Sequence, residues 1–458
     1  MANPESGDDA RPQPTLGLID VIAMIVGIVI GAGIFRAPSI VAGAVSSDTV
    51  FLLLWLAGGF ISLVGALCYA ELGSAYPNTG GEYFFVTRAF GKGPGFLFAW
   101  ARMSVVQTGA IAAIAFVFGD YASQLFSFGV RSSAIWAAIA VVLCTAFNIA
   151  GTSPGKWLQN ALTLALALGM LAVIVAGLGV RGAPVAPPPA AAGPSFSGLA
   201  LIFILLTYGG WNEAAYLTAE IRDGRRNIVR ALVTGLLLVT ALYMLINAAY
   251  VQALGLAGMR ASKAVAADLV QLAFGDAGKV LLALVVMAAA LTTLNATVFT
   301  GARTNYALGR DFALFRVLGR WHPSSNAPVA GLLWQGTIAL LLVGFASMTP
   351  DGFETMVAYT APAFWLFFLL TGISLFVLRR QAPVVAEPFR VPLYPATPAL
   401  FCCMCMYMLY SSISYAMSLN PSSIGARIGI VVLLVGIPLF FFAQPSAAAS
   451  VAQHPSGK

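Results

Sequence analysis

Charge is what this sequence has least of. Asp, Glu, Lys and Arg make up 9% of the 458 residues, where a soluble domain carries about 25%. So few charges cannot cover a water-soluble protein of this length. Histidine is nearly missing as well: His322 and His454 are the only two. That argues against zinc and against a membrane enzyme, which would need a convergent nucleophile, base or metal set. The five cysteines have neither metal-ligand nor disulfide-framework spacing. Cys68 and Cys144 fall in separate apolar runs, and Cys402, Cys403 and Cys405 share a third. The first sixteen residues lack a basic segment feeding a short apolar core, so no cleaved signal peptide is expected. No catalytic residues, no metal site and no cofactor beyond a coupling ion are expected.

What is present is apolar. Hydrophobic residues make up 59% of the chain, with a mean hydropathy of +0.88. A membrane span needs about 20 mostly apolar residues. Twelve segments qualify: 18–43, 50–72, 95–119, 133–150, 157–180, 198–219, 229–254, 280–301, 328–348, 355–378, 397–418 and 424–442. Backbone groups inside lipid must bond within their own segment, so these are helices. The short alternating segments of a β-barrel are missing. The expectation is an all-α polytopic membrane protein with 12 transmembrane helices.

An even count puts both ends on one side, and the basic residues say which. Arg88, Lys92, Lys156, Arg222, Arg225, Arg226, Arg230, Arg303, Arg310, Arg316, Arg320, Arg379, Arg380 and Arg390 fall between spans on the same face as Arg11 and Lys458. The opposite face keeps six, and Arg36 and Arg102 lie within spans. This bias predicts a multi-pass protein of the cytoplasmic membrane with both termini inside. The net charge of +7 is thereby a matter of topology and not of nucleic-acid binding. The lipid bilayer and a small molecule are the partners expected; no partner subunit is indicated.

Three connectors differ from the others. Residues 181–197 are rich in Pro and Ala, an extended outer linker. Residues 256–279 carry mixed charges and suit a short helix on the outer face. Residues 75–94 suit an interfacial helix on the cytoplasmic side. The domain plan that follows has a cytoplasmic segment 1–17 and a ten-helix core 18–378, with repeats 18–180 and 198–378. Two further helices span 397–442, and 443–458 form a disordered cytoplasmic tail.

Two spans contain breaks in matching positions. The first carries Gly27, Gly31 and Gly33 near its middle and Pro38 after them; the sixth carries Gly209 and Gly210. Glycine is unfavourable in a helix because it loses the most backbone entropy. Gly27 and Gly31 also read as a GxxxG packing pattern, but a second interruption five spans later points to a binding site at mid-membrane between two five-helix repeats. Five is odd, so the repeats are inverted. A broken helix exposes N–H groups at one half and C=O groups at the other. The first suits a carboxylate and the second an ammonium or other cation. Two such breaks match an amino acid backbone.

At these motifs the chain resembles the amino acid–polyamine–organocation superfamily, most of all bacterial permeases related to the L-type amino acid transporters. The matching stretches are IGAGIFRAP (30–38), YAELGSAYPNTGGEYFFVTRAFG (69–91), YGGWNEAAYLTAEIRDGRRN (208–227) and LNATVFTGAR (294–303). The resemblance implies a LeuT-type fold, a 5+5 inverted repeat with two extra helices, and a secondary transporter working by alternating access. It implies that the carboxylate meets the backbone at Ile30, Gly31, Ala32 and Gly33. The amine would meet carbonyls of Leu206, Thr207, Tyr208, Gly209 and Gly210. Leu206 stands where L-type relatives often place an aromatic gate, which leaves Trp211 as the aromatic wall. Leu166 stands where many relatives have a lysine in the fifth helix.

For coupling, the sequence leaves Na⁺, H⁺ and uncoupled exchange open. Ala289, Thr292 and Thr293 match the spacing that supplies hydroxyl oxygens to sodium in relatives of the fold, with Gly27 and Ile30 offering carbonyls; hard cations want such oxygens. The competing reading has both threonines bonding their own helix. Two charges fall inside spans, Arg102 in the third and Glu213 just after the sixth-span break, both about 10 Å deep from the cytoplasmic side at 1.5 Å per residue. They are expected to pair, or to share an inner vestibule, and to help control opening; the competing reading has each snorkelling separately to the inner interface. The alternatives to an amino acid carrier are a polyamine or other organic-cation carrier, which would align several carboxylates, and a non-transporting sensor of the same fold.

Overall fold

A computed structural model describes residues 17–78, 81–150, 156–179, 197–213, 221, 224–322, 327–381 and 388–443. The N-terminal segment, the 181–196 linker, Glu220 and the tail from 444 lie outside these. The described residues are helical, with no strand beyond isolated bridges such as His322 with Ala327. The helices are α1 Leu18–Val29, α2 Ala37–Gly43, α3 Asp48–Ala75 and α4 Gly81–Phe90. They continue with α5 Lys92–Leu125, α6 Ser132–Ile149, α7 Lys156–Gly179 and α8 Ser197–Thr207. The remainder are α9 Gly224–Ala261, α10 Val265–Asp311, α11 Val329–Ala346, α12 Gly352–Leu378, α13 Ala396–Ala416 and α14 Ile424–Phe442.

Among the described residues, nine helices are long and apolar enough to cross a membrane. The other three expected spans are the interrupted first, the fifth (α7) and the interrupted sixth (α8). The long helices carry large apolar side chains on their outer faces, including Leu53 and Phe60 on α3, Leu237 on α9, Leu281 on α10 and Leu341 on α11. In water such a surface would aggregate; against lipid it is the expected finish.

The connectors refine the expectation. α4 is the helix foreseen in 75–94. The 256–279 stretch is not one short helix. The chain turns at Gly255 (φ 62°) and Gly275 (φ 68°) and is helical on either side of a bend at 262–264.

Amide side chains fix α10 inside the bundle. Gln107 Nε2 on α5 donates to Thr297 O at 2.7 Å, Asn148 Nδ2 on α6 to Asn295 Oδ1 at 2.7 Å, and Gln335 Nε2 on α11 to Val298 O at 2.5 Å. In lipid, such bonds between helices replace the hydrophobic drive that water would supply. Small residues let other helices approach. A Cβ at Gly58 on α3 would meet Ile204 of α8, and one at Gly65 would meet Trp211 at 2.7 Å. α3 is thereby the surface on which the sixth-span segment rests.

Candidate functional site

The first span is broken where the glycines stand. Ile30 N–H still donates to Val26 O at 2.8 Å, but Gly31 turns back onto Val29 O at 2.8 Å and leaves the helix at φ −103°, ψ −177°. A 3₁₀ turn follows over Ala32–Phe35. Its first N–H groups, at Ala32 and Gly33, have no acceptor within the turn. α2 then starts at Ala37 with Pro38 in its first turn. The proline initiates the second half rather than breaking the first, because its missing N–H has no use there.

The sixth span breaks after Thr207. Gly209 N–H donates to Leu206 O at 3.1 Å, Gly210 sits at φ 105°, and a 3₁₀ turn takes in Trp211–Glu213. A side chain at Gly210 would be strained at that φ.

The two breaks face each other. A Cβ built on Gly33 would lie 3.2 Å from Thr207 Oγ1. Tyr243, fully buried on α9, joins them: its hydroxyl lies 2.9 Å from Val29 O and 3.3 Å from Thr207 O. Its ring is packed by Tyr208 at 5.0 Å and Trp55 at 5.9 Å. Tyr243 is one apolar-looking residue in an apolar run, and sequence reasoning missed it. Removing only the hydroxyl tests its role as a positioning residue. Tyr243→Phe should leave folding intact and raise the half-saturation concentration about three- to tenfold, as expected for losing a hydrogen bond that shapes the bound state. An unchanged value would remove Tyr243 from the site.

The other expected residues divide. Gly33 and Thr207 meet directly across the breaks; Gly31 and Ala32 precede Gly33 on the first break, and Leu206 precedes Thr207 at the end of α8. Tyr208 turns its side chain away, onto Trp55 at 6.2 Å, so only its backbone is available to a substrate. Trp211 is not a wall of the site. It is 3% exposed and enclosed by Tyr69 at 5.1 Å, Phe368 at 5.6 Å and Phe401 at 6.4 Å, which leaves no ring face for a ligand. Leu206 is half-buried and has no aromatic substitute there.

For the cation residues, Thr292 Oγ1 donates to Ala288 O at 2.9 Å and Thr293 Oγ1 to Ala289 O at 3.0 Å. Gly27 is exposed and Ile30 half-buried. A hydroxyl that has given its proton away keeps two lone pairs, so these bonds orient the oxygens without removing their capacity for a cation.

Two ion clusters flank the breaks, one near each end of α5. Arg102 and Asp120 stand about 27 Å apart along that helix at 1.5 Å per residue. At the first end Arg102 Nη2 lies 3.2 Å from Glu213 Oε1, and Arg102 Nη1 lies 3.5 Å from Glu82 Oε2 on α4. Glu82 also accepts the Tyr69 hydroxyl at 2.5 Å. The cluster sits on a widened π turn, Arg102–Val106, where the Ser104 carbonyl takes the hydroxyls of Thr108 and Tyr359, each at 2.8 Å. Such bulges often mark functional positions. At the other end Arg36, 2% exposed, bonds Asp120 Oδ2 at 3.0 Å and is paired with Asp351 at the start of α12. Arg36 thus ties the second half of the broken first span to α5 and α12. Glu82, Asp120 and Asp351 were not foreseen; Glu82 stands inside one of the family-like stretches.

The model of the amino acid permease family matches residues 16–447. The chain is similar to the serine/threonine exchanger SteT of Bacillus subtilis, 28% identical over 443 residues, covering 95% of this chain and 98% of that protein. It is 30% identical to the human b(0,+)-type amino acid transporter 1 over 424 residues, covering 88% and 83%. It is 31% identical to the human large neutral amino acids transporter small subunit 2 over 463 residues, covering 96% and 83%.

Proposed function

The chain belongs to the amino acid permease family, and from that premise we propose that it carries a small to medium neutral amino acid by alternating access. Amino acid transport by a multi-pass membrane protein follows from the family; the substrate's size and charge are this reading's own. The observation that supports it is the pair of facing breaks, with Gly33 against Thr207 and the Tyr243 hydroxyl between them. N–H groups at Ala32–Gly33 suit a carboxylate and carbonyls at the sixth-span break suit an ammonium, so the backbone recognises what all amino acids share. A polyamine would need several carboxylates between the breaks. Among the described residues, the carboxylate beside the breaks is Glu213, and it is already held by Arg102.

Ala289, Thr292, Thr293, Gly27 and Ile30 are proposed as a sodium site on their oxygen chemistry. The test is a radiolabelled amino acid panel in proteoliposomes, with sodium and proton gradients imposed separately. Counterflow of a small neutral amino acid, faster with a sodium gradient, is the expected result. Absence of counterflow for every amino acid would favour a sensor. Uptake indifferent to replacing sodium removes the sodium site and leaves protons or exchange as the driving force.

The orientation proposed is both termini inside the cytoplasmic membrane, from the bias of basic residues. A single cysteine placed within 184–194 should react with an impermeant maleimide from outside the cell. Reaction only from the cytoplasmic side would invert the topology.

A further inference from the structure

A cavity of ≈ 420 Å³ opens at the Arg36 end of the molecule. It lies between α2, the start of α8, the connector after α9 and the start of α12, and its charged lining is Arg36, Arg260, Lys263, Asp351 and Glu354. That volume is within the usual range for small-ligand pockets, about 300–1,000 Å³.

The cavity stands at the head of the path to the breaks. Leu199 lines it, Phe203 follows one turn later on α8, and Thr207 one turn after that, so about 12 Å of helix separates cavity from break. On the first span Arg36 lines it, three residues beyond Gly33. Ile34, Phe35 and the Phe203–Phe353 pair, with centroids 6.0 Å apart, are buried in between. In this conformation the cavity is therefore separate from the central site.

Its charges have different duties. Arg260 is fixed: Nε donates to Ala42 O at 2.8 Å and Nη2 to Val45 O at 2.6 Å, closing the end of α2. Arg36 is held by its two aspartates. Lys263 is exposed and forms no ion pair among the described residues. Glu354 is held through one oxygen, Oε1, which takes the Tyr415 hydroxyl at 2.5 Å and Asn420 Nδ2 at 3.4 Å; Oε2 has no bond among the described residues. The cavity thus presents one cation without an ion-pair contact and one carboxylate oxygen without a bond, in a lining of three cations and two carboxylates; Asp120, bonded to Arg36 and within electrostatic reach of Lys263, offsets the excess positive charge. A zwitterion is the ligand class that satisfies both. A polyamine would meet Lys263 and Arg260 as like charges.

We propose that this cavity is a waiting site for a zwitterionic amino acid, its carboxylate on Lys263 and its ammonium on Glu354, occupied before the substrate passes Arg36. The inference rests on the amino acid reading above and adds a second, asymmetric site to it. A site on one side of the central breaks alters half-saturation from that side and leaves the other side alone.

The experiment measures counterflow half-saturation separately from each face in proteoliposomes of the full chain. It uses radiolabelled L-serine, or the neutral amino acid the panel selects. The cavity face is the one from which a maleimide reaches Lys263→Cys. Lys263→Ala and Glu354→Gln should each raise the value at the cavity face by at least about threefold, with the opposite face unchanged and Lys263→Arg close to native. Lys263 is exposed, so its removal leaves folding intact. Native transport with both variants unchanged at both faces overturns the waiting site and leaves the permease reading standing. An equal rise at both faces also overturns it, because the residues would then act on the central site.

Discussion

Gly31→Val is expected to abolish transport, by more than about a hundredfold or about 2.7 kcal/mol, while the protein folds as well as the native one. The argument begins with the backbone. Gly31 has φ −103° and ψ −177°, an extended conformation that a β-branched residue adopts without strain. It continues with space: a Cβ there would meet nothing closer than Val29 O at 4.0 Å. Neither the backbone conformation nor the Cβ position therefore opposes the substitution. The position lies directly before the N–H groups of Ala32 and Gly33, so the valine would fill the room proposed for the substrate carboxylate. Gly33→Val should also stop transport but tests less cleanly, because its Cβ already crowds Thr207 Oγ1 at 3.2 Å and a packing defect would enter the result. The measurements are counterflow and a thermal unfolding midpoint in detergent. Native-rate counterflow from Gly31→Val would show that the substrate does not use this break.

The reason Gly31 was legible in the sequence is also the reason Tyr243 was not. A helix interruption inside lipid leaves a mark, because only a few residue types tolerate it and they recur at the same place in the second repeat. Gly31, Gly33, Gly209 and Gly210 carry that mark. A tyrosine that bridges the two interruptions carries none; its spacing and hydropathy are those of any buried aromatic. Trp211 shows the converse error. A large aromatic beside a break invites a ligand-facing role, yet its direction is set by tertiary packing against Tyr69, Phe368 and Phe401, which periodicity does not encode. Charges inside spans were legible as a group, since each needs a partner or water. Arg102 and Glu213 could be matched by depth. Arg36 could not, because its partners Asp120 and Asp351 sit at helix ends that sequence reads as surface. The bend after α9 went unseen for a similar reason: Gly255 and Gly275 read as ordinary loop glycines, while their positive φ fixes where the chain turns.

The second large effect is expected at Arg102. Its guanidinium serves two carboxylates that differ in kind. Glu82 is 5% exposed and anchored by the Tyr69 hydroxyl; Glu213 is 40% exposed and directly follows the sixth-span break. The three groups leave one net negative charge. If the segment after the break moves, Glu213 can leave while Arg102 stays with Glu82, so no charge is stranded at a depth where a lone one costs at least ~2.5 kcal/mol. A switch needs this asymmetry, one contact kept and one exchanged. Arg102→Glu should be the most damaging substitution here, because it replaces the cation shared by Glu82 and Glu213 with a third carboxylate. Glu213→Arg should be milder, since its added cation retains Glu82 as a partner. The exchanged double variant, Arg102→Glu with Glu213→Arg, restores the original composition of the cluster with the partners reversed. It should recover at least about tenfold in transport over Arg102→Glu alone, equivalent to about 1.4 kcal/mol, measured as initial counterflow rates at equal reconstituted protein. Glu82→Gln supplies the contrast: it should lower the thermal midpoint more than Glu213→Gln does, because a buried anchor is lost rather than an exposed contact. A double variant no better than Arg102→Glu, together with equal thermal effects of the two glutamine variants, would show that the cluster is static packing and has no part in opening the Arg102 end of the molecule.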